Sequence, residues 1–161
     1  MDHPQRPIVC ATDFSASGEG AVELAVRAAR AFGAPIVLAH VMDTGARAEP
    51  APTGAVLSEA ERVLRERVDT RKHGAEAALE AAARRHPDAP ITTLLLDGRP
   101  AEALVAHAAA IDAQLIVIGP HGTSAHQHAL RDATIGRLLG STAERVLRTS
   151  RCPVLVAAGP P

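Results

Sequence analysis

Two glycine-containing steps near the end of the chain hold the residues best suited to chemistry. Gly119 and Gly122 follow the short apolar run 115–118, and Gly140 with Ser141 precedes an amphipathic segment. Where a strand passes into a helix, glycines let backbone N–H groups converge on an anion, because no Cβ blocks the approach. The sequence therefore predicts a ligand that carries phosphate.

Thr12 and Asp13 form a second candidate site near the start of the chain. They follow directly on the apolar run 8–11, which is typical of a buried strand. The Asp13 carboxylate could cap the next helix, or it could accept hydrogen bonds from an amine or a hydroxyl group of a ligand. Both interpretations stay open from the residues alone.

The elements that must position these residues alternate along the chain. Apolar runs predict strands at 8–11, 35–41, 91–96, 114–118 and 154–158. Helical periodicity predicts helices at 20–32, 55–85 and 100–111, and a last helix whose apolar stripe begins at Ile135 and includes Leu138, Leu139 and Leu147. The turn-forming stretch 43–54 predicts an exposed loop.

This alternation predicts an α/β fold with one doubly wound parallel sheet and helices on both faces. We expect residues 1–161 to form a single domain. Ligands of such folds bind beyond the carboxyl ends of the strands, where the strand order reverses. Asp13 and Gly119 end the first and fourth predicted strands, so we expect the two candidate sites to share one crevice.

Composition narrows the possible partners. The 161 residues are 47% hydrophobic but only 1% aromatic, and the net charge is −1 with a pI near 6.7. A basic surface for nucleic acid is not expected, and two Phe residues offer almost no aromatic surface on which bases could stack. No apolar run approaches the ~18 residues of a membrane helix, and no secretory signal is apparent. We therefore expect a cytoplasmic protein without a membrane or nucleic-acid partner, in which Cys10 and Cys152 are buried thiols.

Catalytic and metal-binding motifs are weak. Lys72 is the only lysine and lies in a predicted outer helix, which excludes a P-loop. His121, His126 and His128 precede Asp132, but histidines in an irregular loop are more typical of a solvated segment than of a metal site. We predict no catalytic residue and no metal site. His40, on a central strand, is interpreted as an imidazole with its hydrogen bonds satisfied inside the protein.

Three stretches together resemble the universal stress protein family over essentially the whole chain. Residues 8–15 resemble its opening strand with a terminal acidic residue, and 21–41 its first helix and second strand. The stretch 140–156, which ends in Cys-Pro-Val-Leu-Val, is similar to its last helix and strand almost residue for residue. The resemblance implies a five-stranded sheet in the order 3-2-1-4-5. It also implies a homodimer that pairs the last strands, here from Val154 to Ala158.

The ATP-binding branch of that family has the pattern G-x2-G-x9-G-[ST] for ribose and phosphates. It holds adenine with the acidic residue after strand one and the end of strand two. The resemblance thus implies adenine contacts at Asp13 and Val41, next to Ala11 and Thr12. On the phosphate side, it implies Gly119, Gly122, Gly140, Ser141 and Thr142.

One departure from the pattern affects the phosphate side. Seventeen residues, not nine, separate Gly122 from Gly140. The lengthened loop, about 119–135, could fold over a triphosphate or block the pocket, and Gly136 could replace Gly140 in the cradle. We prefer Gly140, because its distance along the chain to Cys152 and Pro153 matches the family.

The expected function is therefore ATP binding in a stress-response or signalling protein, with little or no turnover. At most we expect slow ATP hydrolysis with Mg²⁺, and AMP or another adenine nucleotide could replace ATP. The alternative is a dimeric adaptor of the same family that binds no nucleotide, because the lengthened loop fills its site.

Overall fold

The computed structural model describes residues 5–44, 58–122 and 139–158. The strands are β1 (Ile8–Ala11), β2 (Ile36–Met42), β3 (Ile91–Asp97), β4 (Leu115–Ile118) and β5 (Val154–Val156). The helices are α1 (Ala16–Phe32), α2 (Glu59–Arg84), α3 (Pro100–Ala110) and α4 (Ser141–Thr149). Most of the predicted loop 43–54, residues 55–57 of the predicted long helix and the predicted loop residues 123–135 lie outside the described part.

All described strands pair in parallel, in the order β3-β2-β1-β4-β5. Ile8 lies between Ile36 of β2 and Leu115 of β4, so the first strand is central. Pairing continues past the end of β5, since the Ala157 amide donates to the Ile118 carbonyl at 2.9 Å. The predicted fold class and strand order are confirmed.

Alternation along the strands divides the core into two layers. Ile8, Cys10 and Leu38 pack beneath α1 and α2, whereas Val9 and Ile116 pack beneath α3 and α4 on the opposite face. Successive side chains of a strand point to opposite faces, so strands that are apolar throughout need helices on both sides. Aliphatic side chains and alanines fill both layers, as the composition requires.

Helix α1 begins earlier than its apolar periodicity predicts. It starts at Ala16 rather than Gly20, because the Ser15 hydroxyl accepts the Gly18 amide proton as an N-cap. Its C-terminus agrees with the prediction: Gly33 takes the left-handed conformation with φ +64°.

The last helix begins later than predicted. Helix α4 starts at Ser141, and Gly140 is an extended N-cap with φ −72° and ψ 158°. Leu139 therefore lies before the helix, and its place in the predicted apolar stripe is wrong. Ile135 and Leu138, the first members of that stripe, lie outside the described residues.

Among the described residues, no helix is both long enough and apolar enough to cross a membrane.

Candidate functional site

A tight turn follows β1 and holds Asp13 at the carboxyl edge of the sheet. The Thr12 hydroxyl accepts the Phe14 amide proton at 3.1 Å, and Asp13 Oδ1 accepts the Ser15 amide proton at 3.1 Å. The Ser15 hydroxyl donates to the same Oδ1 at 2.5 Å and accepts from the Gly18 amide. Asp13 is therefore tied to the first turn of α1 through Ser15, which is the N-cap, and the interpretation of Asp13 as the cap itself is wrong.

Phe14 adopts an unusual backbone conformation within this turn, with φ +64°. A non-glycine residue in the left-handed region costs roughly 1–3 kcal/mol and persists only where its surroundings enforce it. The Phe14 ring packs against the His40 imidazole, with 4.6 Å between the ring centroids. The His40 Nδ1 atom lies 2.8 Å from the Thr12 carbonyl oxygen, in agreement with the prediction of a satisfied imidazole.

Gly18 lets α1 approach this turn closely. A Cβ at Gly18 would lie 2.8 Å from Thr12 Oγ1 and 2.9 Å from Asp13 Oδ1, both closer than real Cβ contacts. The sequence analysis did not single out Gly18. The sequence feature that could have indicated Gly18 is a glycine in the first turn of the helix that follows the candidate acidic residue Asp13.

Gly119, at the end of β4, is required by packing against the same helix. A Cβ at this position would lie 2.8 Å from the Ser17 carbonyl oxygen, which belongs to the α1 backbone. Close packing against the α1 backbone therefore explains why position 119 must be glycine. Gly119 brings the end of β4 and the start of α1 together, next to the Asp13 turn.

Gly122 and Gly140 converge beside Asp13. A Cβ at Gly122 would lie 3.1 Å from Asp13 Oδ2. The Gly140 amide donates to the Pro120 carbonyl at 2.7 Å, and a Cβ at Gly140 would lie 3.5 Å from the His121 Cα. The two glycine steps, distant in sequence, therefore meet at the edge where β1 ends, as the sheet topology predicts.

The amino terminus of α4 opens at this meeting point. The N-cap residue, Gly140, has no side chain that could accept an amide proton of the first turn. Ser141 is exposed and Thr142 is half-buried, so the first turn of α4 presents backbone N–H groups and two hydroxyls. The positive end of a helix with uncapped amides suits an anion.

The remaining predicted residues lie in the interior of the protein, behind this edge. Ala11 is buried and Val41 is partly buried, and both belong to the core layer beneath α3 and α4. The Thr12 side chain is 7% exposed and is used inside the turn, as an acceptor for Phe14. Of the predicted set, the structure thus brings Asp13, Gly122 and Gly140 together, and it leaves Ala11 and Thr12 with backbone or structural roles.

Two cavities of the described residues lie away from the glycine steps. An open groove of 540 Å³ lies on the α1 side of β4 and β5, lined in part by Leu24, Phe32, Pro153 and Leu155. A smaller cavity of 180 Å³, lined in part by Phe14, lies between α1 and α2. Neither is lined by Gly122 or Gly140.

The structure shows no metal cluster within 5–44, 58–122 and 139–158: no three His, Cys, Asp or Glu side chains there are placed to hold an ion. His126, His128 and Asp132 lie outside those ranges. Cys10 and Cys152 are free thiols. Cys10 is buried, as predicted, and burial raises its pKa to about 12. Cys152 is only partly buried, so its prediction as a buried thiol is wrong.

The architecture is that of a doubly wound α/β domain whose loops converge at the point where the strand order reverses, a place where such folds bind ligands. A model of the universal stress protein family matches residues 5–158. The chain belongs to the universal stress protein family.

Relatives agree with this assignment. The chain is 32% identical over 158 residues to universal stress protein Rv2005c of Mycobacterium tuberculosis, covering 97% of this chain and 46% of the relative. It is 31% identical over 152 residues to a universal stress protein of Thermus aquaticus, covering 94% of this chain and 97% of that one. The chain thus spans about half the length of the mycobacterial relative.

Solved structures share the fold. Universal stress protein UspA of Lactobacillus plantarum superposes with a TM-score of 0.73 at 22% identity, covering 98% of this chain and 100% of that chain. A universal stress protein in complex with cAMP gives 0.63 at 25% identity, covering 96% and 98%. The Archaeoglobus fulgidus protein in complex with dAMP gives 0.59 at 22% identity, covering 96% and 98%. Two of these neighbours thus bind adenine nucleotides.

Proposed function

We propose that this protein binds ATP at the edge formed by Asp13, Gly122 and Gly140, and acts in a cytoplasmic stress response or signalling event. The observation that carries the proposal is the convergence of these three residues, with Asp13 Oδ2 only 3.1 Å from the Cβ position of Gly122. The adenine nucleotides in two neighbouring structures support the ligand class.

Each end of the nucleotide has a suitable partner. The phosphates would lie at the amino terminus of α4, beside Gly140, where the amides and hydroxyls of Ser141 and Thr142 can donate. The Gly140 amide itself donates to the Pro120 carbonyl. The adenosine end would lie toward Asp13 and Val41, since a carboxylate accepts hydrogen bonds from amines and hydroxyls. Mg²⁺ carried in on ATP would offset part of the phosphate charge.

Turnover is not part of the proposal beyond slow hydrolysis. The residues assigned to the site are glycines, three hydroxyl residues, two apolar residues and one carboxylate. Asp13 Oδ1 already accepts from the Ser15 amide and hydroxyl, which suits a structural anchor better than a general base. ATP occupancy, rather than its hydrolysis, would then be the signal.

Equilibrium dialysis with ATP and Mg²⁺ tests the proposal on three proteins. Gly122→Glu places a second carboxylate beside Asp13, so phosphate and adenosine contacts should both be lost. Gly74→Glu makes the same chemical change in α2, where nothing lies within 4 Å of the added Cβ. We expect the wild-type chain and Gly74→Glu to retain ATP equally, and Gly122→Glu to retain little.

Equally small retention by the wild-type chain and Gly122→Glu at millimolar ATP would instead favour the adaptor that binds no nucleotide. Mass spectrometry of the small molecule that co-purifies with the wild-type chain distinguishes ATP from AMP and from a cyclic nucleotide.

We further propose that two copies pair through the last strand, from Val154 to Ala158. β5 is an edge strand, and unpaired backbone groups on such an edge are a template for another chain. Leu155 is 37% exposed and Phe32 is 61% exposed in the groove beside this edge. A second copy would cover both the backbone edge and this apolar surface.

The oligomeric state can be measured by light scattering after gel filtration. Leu155→Arg should convert a dimer into a monomer, because the charge would be buried between the copies. Leu64→Arg is the control, since Leu64 is 63% exposed on α2. A wild-type monomer, or a loss of dimer in both variants, would contradict pairing through β5.

A further inference from the structure

We propose that His40 is a positioning residue for the ligand site: its imidazole holds the Thr12–Ser15 turn and so fixes where Asp13 meets the adenosine end of the nucleotide. The proposal rests on the proposed function. His40 lies on β2 and acts only through the turn that follows β1.

His40 extends the pairing of β1 and β2 by one contact. The backbone register of these strands ends at Ala11 and Ala39, and the Thr12 amide donates to the Ala39 carbonyl at 2.9 Å. One residue further, the Thr12 carbonyl lies 2.8 Å from His40 Nδ1. A carbonyl oxygen can only accept, so Nδ1 must carry the proton. The geometry therefore assigns the Nδ1–H tautomer.

The imidazole also supports the strained residue of the turn. The Phe14 ring packs on it at 4.6 Å, with 36° between the ring planes, while the Phe14 backbone is left-handed. Such a conformation persists only where its surroundings enforce it. His40 thus fixes the residues on both sides of Asp13, one through a hydrogen bond and the other through ring packing.

This arrangement has a consequence for selectivity. Asp13 Oδ1 is held by Ser15, and Oδ2 is directed toward Gly122. If the turn relaxes, the carboxylate no longer meets donors of the adenosine end in one geometry. Discrimination between adenine and guanine should therefore fall, whereas phosphate contacts at α4 should stay unchanged.

Two substitutions separate the contacts of His40. His40→Asn keeps an N–H donor close to the position of Nδ1 and loses the ring. His40→Phe keeps a ring against Phe14 and loses the donor. We expect His40→Phe to weaken ATP binding by about two- to tenfold, the range expected for one ordinary hydrogen bond, and to lower the ratio of ATP to GTP affinity. His40→Asn, which keeps the donor but loses the ring contact, should weaken ATP binding less than His40→Phe does.

Nitrogen-15 NMR of the wild-type imidazole tests the tautomer without any substitution, so the proposal stays falsifiable even if His40→Phe fails to fold. Neutral His40 with its proton on Nε2 would overturn the proposal. So would wild-type affinity in His40→Phe, or losses of ATP and GTP binding by the same factor, which a merely structural role would produce. If the wild-type chain binds no nucleotide, the proposed function itself is refuted. If the wild-type chain binds nucleotide and the His40 variants bind it equally well, only the role of His40 is refuted.

Discussion

Replacing Gly18 by alanine should loosen the turn that carries Asp13. The added methyl would lie 2.8 Å from Thr12 Oγ1 and 2.9 Å from Asp13 Oδ1, and 3.2 Å from the Asp13 amide nitrogen. Ordinary contact begins near 3.4 Å, so both oxygens would have to retreat by roughly half an ångström. Neither can move freely, because Thr12 is buried and Asp13 Oδ1 is held by Ser15.

Two opposing effects set the magnitude. Alanine in place of glycine stabilises a helix interior by about 0.5–1 kcal/mol, whereas overpacking a tight site costs about 1–3 kcal/mol. We therefore expect Gly18→Ala to lower the free energy of unfolding by roughly 0.5–2 kcal/mol. For a chain of this size, that corresponds to a fall in Tm of about 1–8 °C. ATP binding should weaken as well, because the displaced group is the Asp13 carboxylate.

Gly20→Ala is the matched control in the same helix. The nearest atom to its added Cβ is the Ala158 carbonyl oxygen at 3.8 Å, an ordinary contact. We expect this variant to gain about 0.5–1 kcal/mol and to bind ATP as the wild-type chain does. Urea unfolding measures the free energy of unfolding, calorimetry measures Tm, and equilibrium dialysis measures ATP binding. If Gly18→Ala proves as stable as Gly20→Ala, the inferred close packing of α1 against the turn is refuted.

Three further outcomes are expected. Gly119→Ala should destabilise the fold by about 1–3 kcal/mol even without nucleotide, because the methyl meets rigid α1 backbone, and unchanged urea unfolding would contradict this packing role. Iodoacetamide at pH 8 should modify the partly exposed Cys152 but not Cys10, whose pKa burial raises to about 12; mass spectrometry of the native protein would reveal any labelling of Cys10. Hydrogen bonds from the Ser58 side chain and backbone lower the pKa of Glu61. The stabilising effect of Glu61 is therefore present above the pKa that this carboxyl has in the unfolded chain, and it is lost as the pH falls through the lower pKa of the folded protein. Ser58→Ala should return the pKa of Glu61 toward its ordinary value, which carbon-13 NMR can follow.

The strands could be predicted from the sequence because each is a short apolar run of its own, whereas their order was implied by the resemblance to the universal stress protein family. The start of α4 could not be predicted, since Leu139 fits the helical periodicity while the Gly140 backbone is extended, and a pattern of side chains does not report a backbone angle. The predicted helix boundary was therefore wrong because of a local backbone conformation, and the true boundary lies at Gly140, a residue of the candidate site.

Within the candidate site, too, some features could be predicted from the sequence and others could not. The meeting of Gly122 with Asp13 follows from the parallel topology, so it could be predicted from the order of strands and helices. The requirement for glycine at position 119 and the contact of His40 with Phe14 depend on how closely α1 and β2 approach the turn. Such distances arise only when the layers pack, and no spacing along the chain encodes them.

The amino termini of α1 and α4 both lie at this edge, but within the described part of the chain only that of α1 is already bonded to side chains of the protein. This difference should orient a bound ligand. The first turn of α1 is bonded to the chain's own Ser15 hydroxyl, which in turn donates to the Asp13 carboxylate, so its positive pole already faces a negative group. A second anion arriving there would meet repulsion. An elongated ligand with one charged tail should therefore enter in a single orientation, tail toward α4, without any lysine to guide it.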